Sequence, residues 1–558
     1  MYEIIYNNIH DWIILKLLFL TAISVLVHKL IKNRKNNYFR SFLLLFSCIV
    51  ISIFICWIPY LYIREPDGDE SEWILYARNL FHSPKFYFEH YNPIQFSRFL
   101  TILPLSLFCI FTNSLKWLHA RILCNILWAL YIFINFKIFQ KYFNNNKAII
   151  SCLLLTIIIS LTSENMIISY NSELPAIIIL SVIIYLFSCY FLNDLKSKFY
   201  LIIIGLLIPF SNIAKEQTLL ISIALELLLI FYLIHLKNFE GLFILFITNL
   251  ISLTTIILPI ILLDKQGDFW EHLELRRNLS YEGWFNEDFN IYRHFYKILI
   301  HFSKSLICFI YVISLIGFLS IIQKKKINIL INQKKIFMLT LLFLLGNFAC
   351  FLTYYNTSSF FDHQLLFLFP FVTILIPLFI KFLFSIRAKY KFLLFPLLYF
   401  TSVLYLLNHN KYASNNILKQ LSYDSKSNFI KSKKLSNSIA LNFRINDRLI
   451  VWGWDNSYYV ENELLSGSRY PNIAVLYHKI SNEKIRANVI NKYIFDIKTL
   501  KPRFIIEAVG KNEFFTKSQD EFGIYAYHNI YKIILSDYYL FDMDKYRKLY
   551  IRKNNKNY

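Results

Sequence analysis

The sequence has no Gly-rich nucleotide loop of the Walker or Rossmann type and no Cys/His set at zinc-ligand spacing, so nucleotide-dependent and zinc-centred chemistry lack a visible residue set. Charge is scarce: 17% of the residues are charged against 56% hydrophobic, and the mean hydropathy is +0.44. That balance excludes an ordinary water-soluble globular chain, and lipid must solvate much of it. None of the eight cysteines lies beyond Cys350, which leaves the C-terminal part without a disulfide framework. The first hydrophobic run, Trp12 to Ile31, lacks a basic leader and an Ala-x-Ala-like cleavage site, so it reads as a retained helix rather than a signal peptide.

What is present is a succession of apolar runs that stops after Leu407. A helical crossing of about 30 Å of hydrocarbon needs roughly 20 residues. Hydropathy places about twelve spans, at 12–31, 42–61, 122–136, 149–161, 174–192, 200–210, 219–234, 242–263, 298–322, 336–352, 365–384 and 392–407. Lys and Arg exceed Asp and Glu by 59 to 36. Topology explains most of the excess, because basic clusters fill the short loops at 32–40, 137–147, 196–198, 324–335 and 387–391, the mark of cytoplasmic loops. The run Phe99 to Phe111 is short and contains Pro104, and counting it as a span would put those clusters on alternating sides. It is therefore expected to lie on the external surface.

The loops 64–98, 162–173, 211–217, 264–297 and 353–364 then face outward, with everything after Leu407. Two independent signals, hydropathy and charge bias, agree on this partition. The expected fold is an all-α polytopic membrane bundle over 1–407 with a small extracytoplasmic α/β domain over 408–558, whose apolar segments Leu449 to Trp452 and Phe504 to Ile506 read as strands. Lysines between Lys411 and Lys434 rest on anionic headgroups or form a solvated linker, and both readings stand. Glu226 is the clearest acid within a span, and a buried structural hydrogen bond accounts for it at least as well as a function does.

The first external loop concentrates the chemistry. Asp67, Asp69, Glu70 and Glu72 fall within six residues directly after a span. Carboxylates so crowded at a membrane surface repel one another and need a reason. A general base, a divalent cation site and a hydrated turn in which Asp69 caps a helix from Ser71 to Leu80 are the three readings.

The spacing Asp69-Glu70, Trp73 and Ala77-Arg78, followed by the aromatic "YFEHYNPI", resembles the lipid-carrier-dependent glycosyltransferases of GT-C fold, family 39-like, which include protein O-mannosyltransferases and aminoarabinose transferases. The resemblance implies that the loop Asp is the catalytic base. It maps onto Asp69, with Asp67 an extra acid that competes for the role and Glu70 beside it.

Three further motifs are similar to that group: "SYNSELPAIIIL", where Glu173 opens a span; "GLLIPFSNIAKEQTLLI", where Lys215 follows a helix end; and "FFDHQLLFLFP", where His363 matches and Gln364 replaces an aromatic residue. Beyond the spans, "DRLIVWGWDNSYYV" with "SGSRYP" resembles the C-terminal domains of bacterial members.

By the resemblance, Lys215 sits near the carrier phosphate, where an ammonium offsets its charge. A snorkelling interfacial lysine is the equal alternative. Arg276 and Arg277 offer guanidinium forks for phosphate, or pair with Glu271, Glu274 or Glu282. Arg78 is a further expected donor-phosphate ligand. Members of the group differ in metal use, so no cofactor is fixed and a divalent cation stays open.

The expected partners are a polyprenyl-phosphate-linked sugar, membrane lipid and a glycan, lipid or protein acceptor, with no nucleic acid. The expected reaction inverts the anomeric centre. A flippase for lipid-linked sugars and an inactive assembly component are the rival functions. Richness in Ile, Asn, Lys and Phe points to an AT-rich genome and a bacterial inner membrane.

Overall fold

The computed structural model describes residues 9–33, 38–61, 69–90, 99–112, 114–162, 164–192, 197–262, 270, 302–303, 305–323, 330–356, 362–385, 429–444, 446–473, 476, 483–509, 518–544 and 547–553. The chain divides into two compact units. One holds 1–62, 121–258 and 290–415; the other holds 63–120, 259–289 and 416–558.

The first unit is helical. In hydrocarbon no water satisfies peptide groups, and a helix closes its hydrogen bonds within one segment. Among the described residues, five helices are long and apolar enough to cross a membrane: Trp117–Tyr142, Glu173–Leu192, Glu216–His235, Phe239–Pro259 and Leu365–Phe384. Shorter apolar helices run over Leu15–Val27, Leu43–Trp57, Asn145–Leu161, Lys198–Ala214, Leu306–Leu319 and Phe337–Thr353. The chain is a multi-pass membrane protein. Where their residues are described, the expected spans from 12–31 to 365–384 fall largely on these helices; residues 263, 298–301 and 304, and the run 392–407, lie outside the described residues. Among the described residues, five helices meet the crossing criterion on their own.

Hydrogen bonds between helices fix the interior. Tyr131 Oη meets Thr373 Oγ1 at 2.9 Å, and that hydroxyl also reaches Asn135 Oδ1 at 2.9 Å. The Tyr142 and Ser188 hydroxyls meet at 2.8 Å. Gly317 allows a close approach of two helix backbones, since a Cβ there would stand 2.5 Å from the Phe379 amide nitrogen. Asn249 donates to Glu226, so the one acid noted within a span has a hydrogen-bond partner on the neighbouring helix. All eight cysteines are free thiols.

The second unit contains a five-stranded sheet in the order β2-β1-β3-β5-β4, with β1 Arg448–Gly453, β2 Leu465–Ser466, β3 Phe504–Ala508, β4 Tyr538–Met543 and β5 Lys548–Arg552. β1, β2 and β3 are parallel; β5 runs antiparallel to β3, and β4 to β5. The period-2 alternation of side chains builds two cores from the same strands. Ile450, Trp452, Ile505 and Val509 pack with Val489, Tyr493 and Ile497 of the Glu483–Leu500 helix and with Ile530 and Ile534 of the His528–Asp537 helix. Leu449, Val451, Phe504, Ile506, Leu549 and Ile551 pack on the other face with Leu435 and Ile439 of the Phe429–Asn442 helix.

Leu75, from the Glu70–His82 helix, belongs to that second core and is fully buried. The Glu70–His82 helix is thus part of a three-layered α/β/α arrangement, although it precedes the strands by hundreds of residues.

Buried charges in this unit are matched. Arg469 grips Asp496 through Nε at 3.0 Å and Nη2 at 2.8 Å, and its own backbone N–H adds a bond at 2.8 Å. Glu507 accepts from the Ile524 backbone at 2.8 Å and from Lys548 at 3.2 Å.

At the end of β1, Gly453 has φ +149°, and a Cβ there would lie 2.1 Å from the Ala508 carbonyl oxygen. Gly453→Ala is expected to cost about 2 kcal/mol or more, through strain at a glycine-only conformation and displacement of β3. A fall in the thermal midpoint of the detergent-solubilised protein checks it; an unchanged midpoint would refute the packing argument.

Candidate active site

Asp69 stands at the N-cap position of the Glu70–His82 helix, whose first turn carries Glu70 and Glu72 at the positive end of the helix dipole. The helix starts with the Trp73 N–H bonded to the Asp69 carbonyl at 3.2 Å and stops at Ser83, ahead of Pro84. The Asp69 side chain makes no capping hydrogen bond, and the residue is partly exposed. Capping therefore does not account for an acid at this place. Glu70 is fully buried. Glu72 accepts from the Tyr76 hydroxyl at 2.7 Å and the Asn472 amide at 3.3 Å. Asp67 lies outside the described residues.

Arg78 is buried within the same helix. Its Nη1 donates to the carbonyls of Tyr459 at 2.6 Å and Leu464 at 3.3 Å, and its Nη2 to the carbonyl of Leu115 at 2.5 Å. Burial pulls the guanidinium down to about 10, which keeps it charged at neutral pH. Its donors face peptide oxygens rather than an open surface.

In the first unit, Glu173 opens the Glu173–Leu192 helix and Lys215 ends the Lys198–Ala214 helix, which contains Pro209. Lys215 Nζ is 2.6 Å from Glu173 Oε1, with side-chain exposures of 8% and 2%, and donates to Ser172 Oγ at 2.5 Å.

The backbone around the pair is held from several sides. Asn171 Oδ1 accepts the Leu174 N–H at 3.1 Å. Trp128 Nε1 donates to the Ile167 carbonyl at 2.9 Å. Thr218 Oγ1 donates to the Lys215 carbonyl at 2.9 Å. Glu164 Oε1 accepts the Leu306 N–H at 2.8 Å. Ser169 Oγ and Gln217 Oε1, one on each loop, are buried without a hydrogen-bond partner among the described residues. Such atoms are costly unless something polar meets them.

The structure thus joins Glu173 to Lys215 and places Asp69, Glu70 and Arg78 on one helix of the other unit. Arg276 and Arg277 lie outside the described residues, and His363 falls in the helical turn Asp362–Leu368 with its side chain outside them. Among the described residues, no group of three or more His, Cys, Asp or Glu side chains is arranged to hold a metal ion. Sequence reasoning passed over Ser172 and Glu164, whose partners Lys215 and Leu306 lie on other segments, and Asn171, which bonds locally to Met166 and Leu174; only their position in a loop read as external set them apart.

No protein-family model matches the chain, and no curated protein matches it in sequence. Solved structures do. ArnT from Cupriavidus metallidurans bound to undecaprenyl phosphate aligns over 92% of this chain and 98% of its own, with a TM-score of 0.51 at 12% identity. The fold is that of the GT-C glycosyltransferases. The Archaeoglobus fulgidus oligosaccharyltransferase in complex with Zn and sulfate aligns over 87% of this chain and 69% of its own, with a TM-score of 0.45 at 12% identity. The ArnT alignment takes in residues of both units.

Proposed function

We propose that this chain transfers a sugar from a polyprenyl-phosphate carrier to an extracytoplasmic acceptor, with Asp69 as the general base. The observation that carries the reading is a carboxylate at the head of a buried helix, partly exposed and not spent on capping, in a chain with the fold of ArnT, which has been solved with undecaprenyl phosphate. Asp69 takes the proton from the acceptor hydroxyl as that oxygen attacks the anomeric carbon. The carrier phosphate departs with the bonding pair, and the centre inverts. Lys215 offsets negative charge growing on that phosphate, the place where electrostatic catalysis acts. Ser169 and Gln217 offer hydrogen-bonding atoms that have no partner among the described residues. Asp67, Glu70, Arg276, Arg277 and His363 remain assigned to the same chemistry, the arginines to phosphate. The active side and the C-terminal segment face away from the cytoplasm of a bacterial inner membrane.

The deciding experiment compares envelope glycans and lipids by mass spectrometry in cells with and without the protein. Loss of one sugar from an envelope component, with the lipid-linked donor accumulating, is the expected result. Accumulation of donor on the cytoplasmic leaflet instead would favour a flippase, and an unchanged envelope would reject the transfer reading.

A further inference from the structure

The Glu70–His82 helix is bonded along its length to the segment that follows the membrane unit in sequence. Besides the three carbonyl bonds of Arg78, Asn79 Oδ1 accepts the Ser466 N–H at 3.2 Å. Arg448 joins the Ser466 carbonyl at 2.7 Å to Ser83 Oγ at 3.1 Å, and its guanidinium lies 4.3 Å from the Phe86 ring centre. Trp117 Nε1 donates to Ser71 Oγ at 3.0 Å.

From this geometry we infer that Arg78 is a positioning residue, by which the C-terminal segment fixes the rotation and height of the helix that presents Asp69. The inference rests on Asp69 being the base. Nine residues separate the two, about two and a half helical turns. A turn of the helix by one residue, about 100°, would carry the guanidinium out of all three bonds and into the apolar layer around Leu75. A buried charge deprived of its acceptors is costly, so the helix is held at one angle. The fork matters, because it reaches Leu115 on one side and Tyr459 and Leu464 on the other, whereas an ammonium is a single point. The role differs from a phosphate contact, since the donors are taken by the chain itself.

The test uses the full-length protein with Arg78→Lys and Arg78→Met, the lysine form guarding against simple misfolding. Three readouts are taken: sugar transfer in cells, binding of undecaprenyl phosphate to the purified protein by native mass spectrometry, and hydrogen exchange of the amides in 73–82. Displacement of a reacting group by about 1 Å can cost about 100-fold. Transfer is expected to fall by that order in Arg78→Met and by about tenfold in Arg78→Lys, with carrier binding within about twofold and faster exchange confined to the helix.

Carrier binding lost in step with transfer would make Arg78 a phosphate ligand and overturn the inference, as would unchanged transfer in both variants. If Asp69→Asn left transfer intact while Arg78→Met abolished it, the base reading would fail, and the exchange data would still report the anchoring.

Discussion

Asp69→Asn is expected to lower sugar transfer by about 10² to 10⁴-fold, the usual contribution of a positioned general base, while barely changing stability. The two effects separate because of where the residue sits. Asn and Asp are equally good at a helix N-cap, and here the side chain makes no capping bond to lose. Loss of the charge's interaction with the helix dipole costs about 0.3–1 kcal/mol at a partly exposed site. Purified Asp69→Asn should therefore melt close to the parent and still bind undecaprenyl phosphate. Asp67→Asn is the paired control. Normal turnover in Asp69→Asn with loss in Asp67→Asn moves the base by two residues, and normal turnover in both removes a first-loop acid from the mechanism.

The helices and strands were legible in the sequence for different reasons. Apolar runs of spanning length have few alternatives in lipid, which is why Glu173–Leu192 and Leu365–Phe384 match the hydropathy reading almost residue for residue. "LIVW" and "FII" are short continuous apolar runs, as strands covered on both faces need, and both lie in neighbouring parallel strands. Pairings across the chain were not legible. Nothing in the composition of the first loop says that Arg78 meets the carbonyls of Tyr459 and Leu464, because backbone acceptors have no sequence signature. Leu75 likewise reads as one apolar residue of an amphipathic loop helix, and only the packed sheet shows it as core. For Lys215 the sequence offers a phosphate site or a snorkelling lysine, and its ion pair with the buried Glu173 has no signature there.

Lys215→Met is expected to cost about 3–5 kcal/mol, because it strands the Glu173 carboxylate in a site where that side chain is 2% exposed. Glu173→Gln should cost a similar amount by stranding the ammonium, with Ser172 as a remaining partner. The double variant decides what the pair is for. Replacing both charges by uncharged groups of similar size is often neutral or stabilising, so the thermal midpoint should recover towards the parent value. If the ammonium serves only to neutralise Glu173, binding of undecaprenyl phosphate and sugar transfer recover with it. If Lys215 offsets charge on the carrier phosphate, as proposed, both stay depressed in a protein that is stable again. Midpoints measured in detergent alongside native mass spectrometry of the bound carrier separate these results, and recovery of all three quantities together would reduce the pair to a structural bridge between two helix ends.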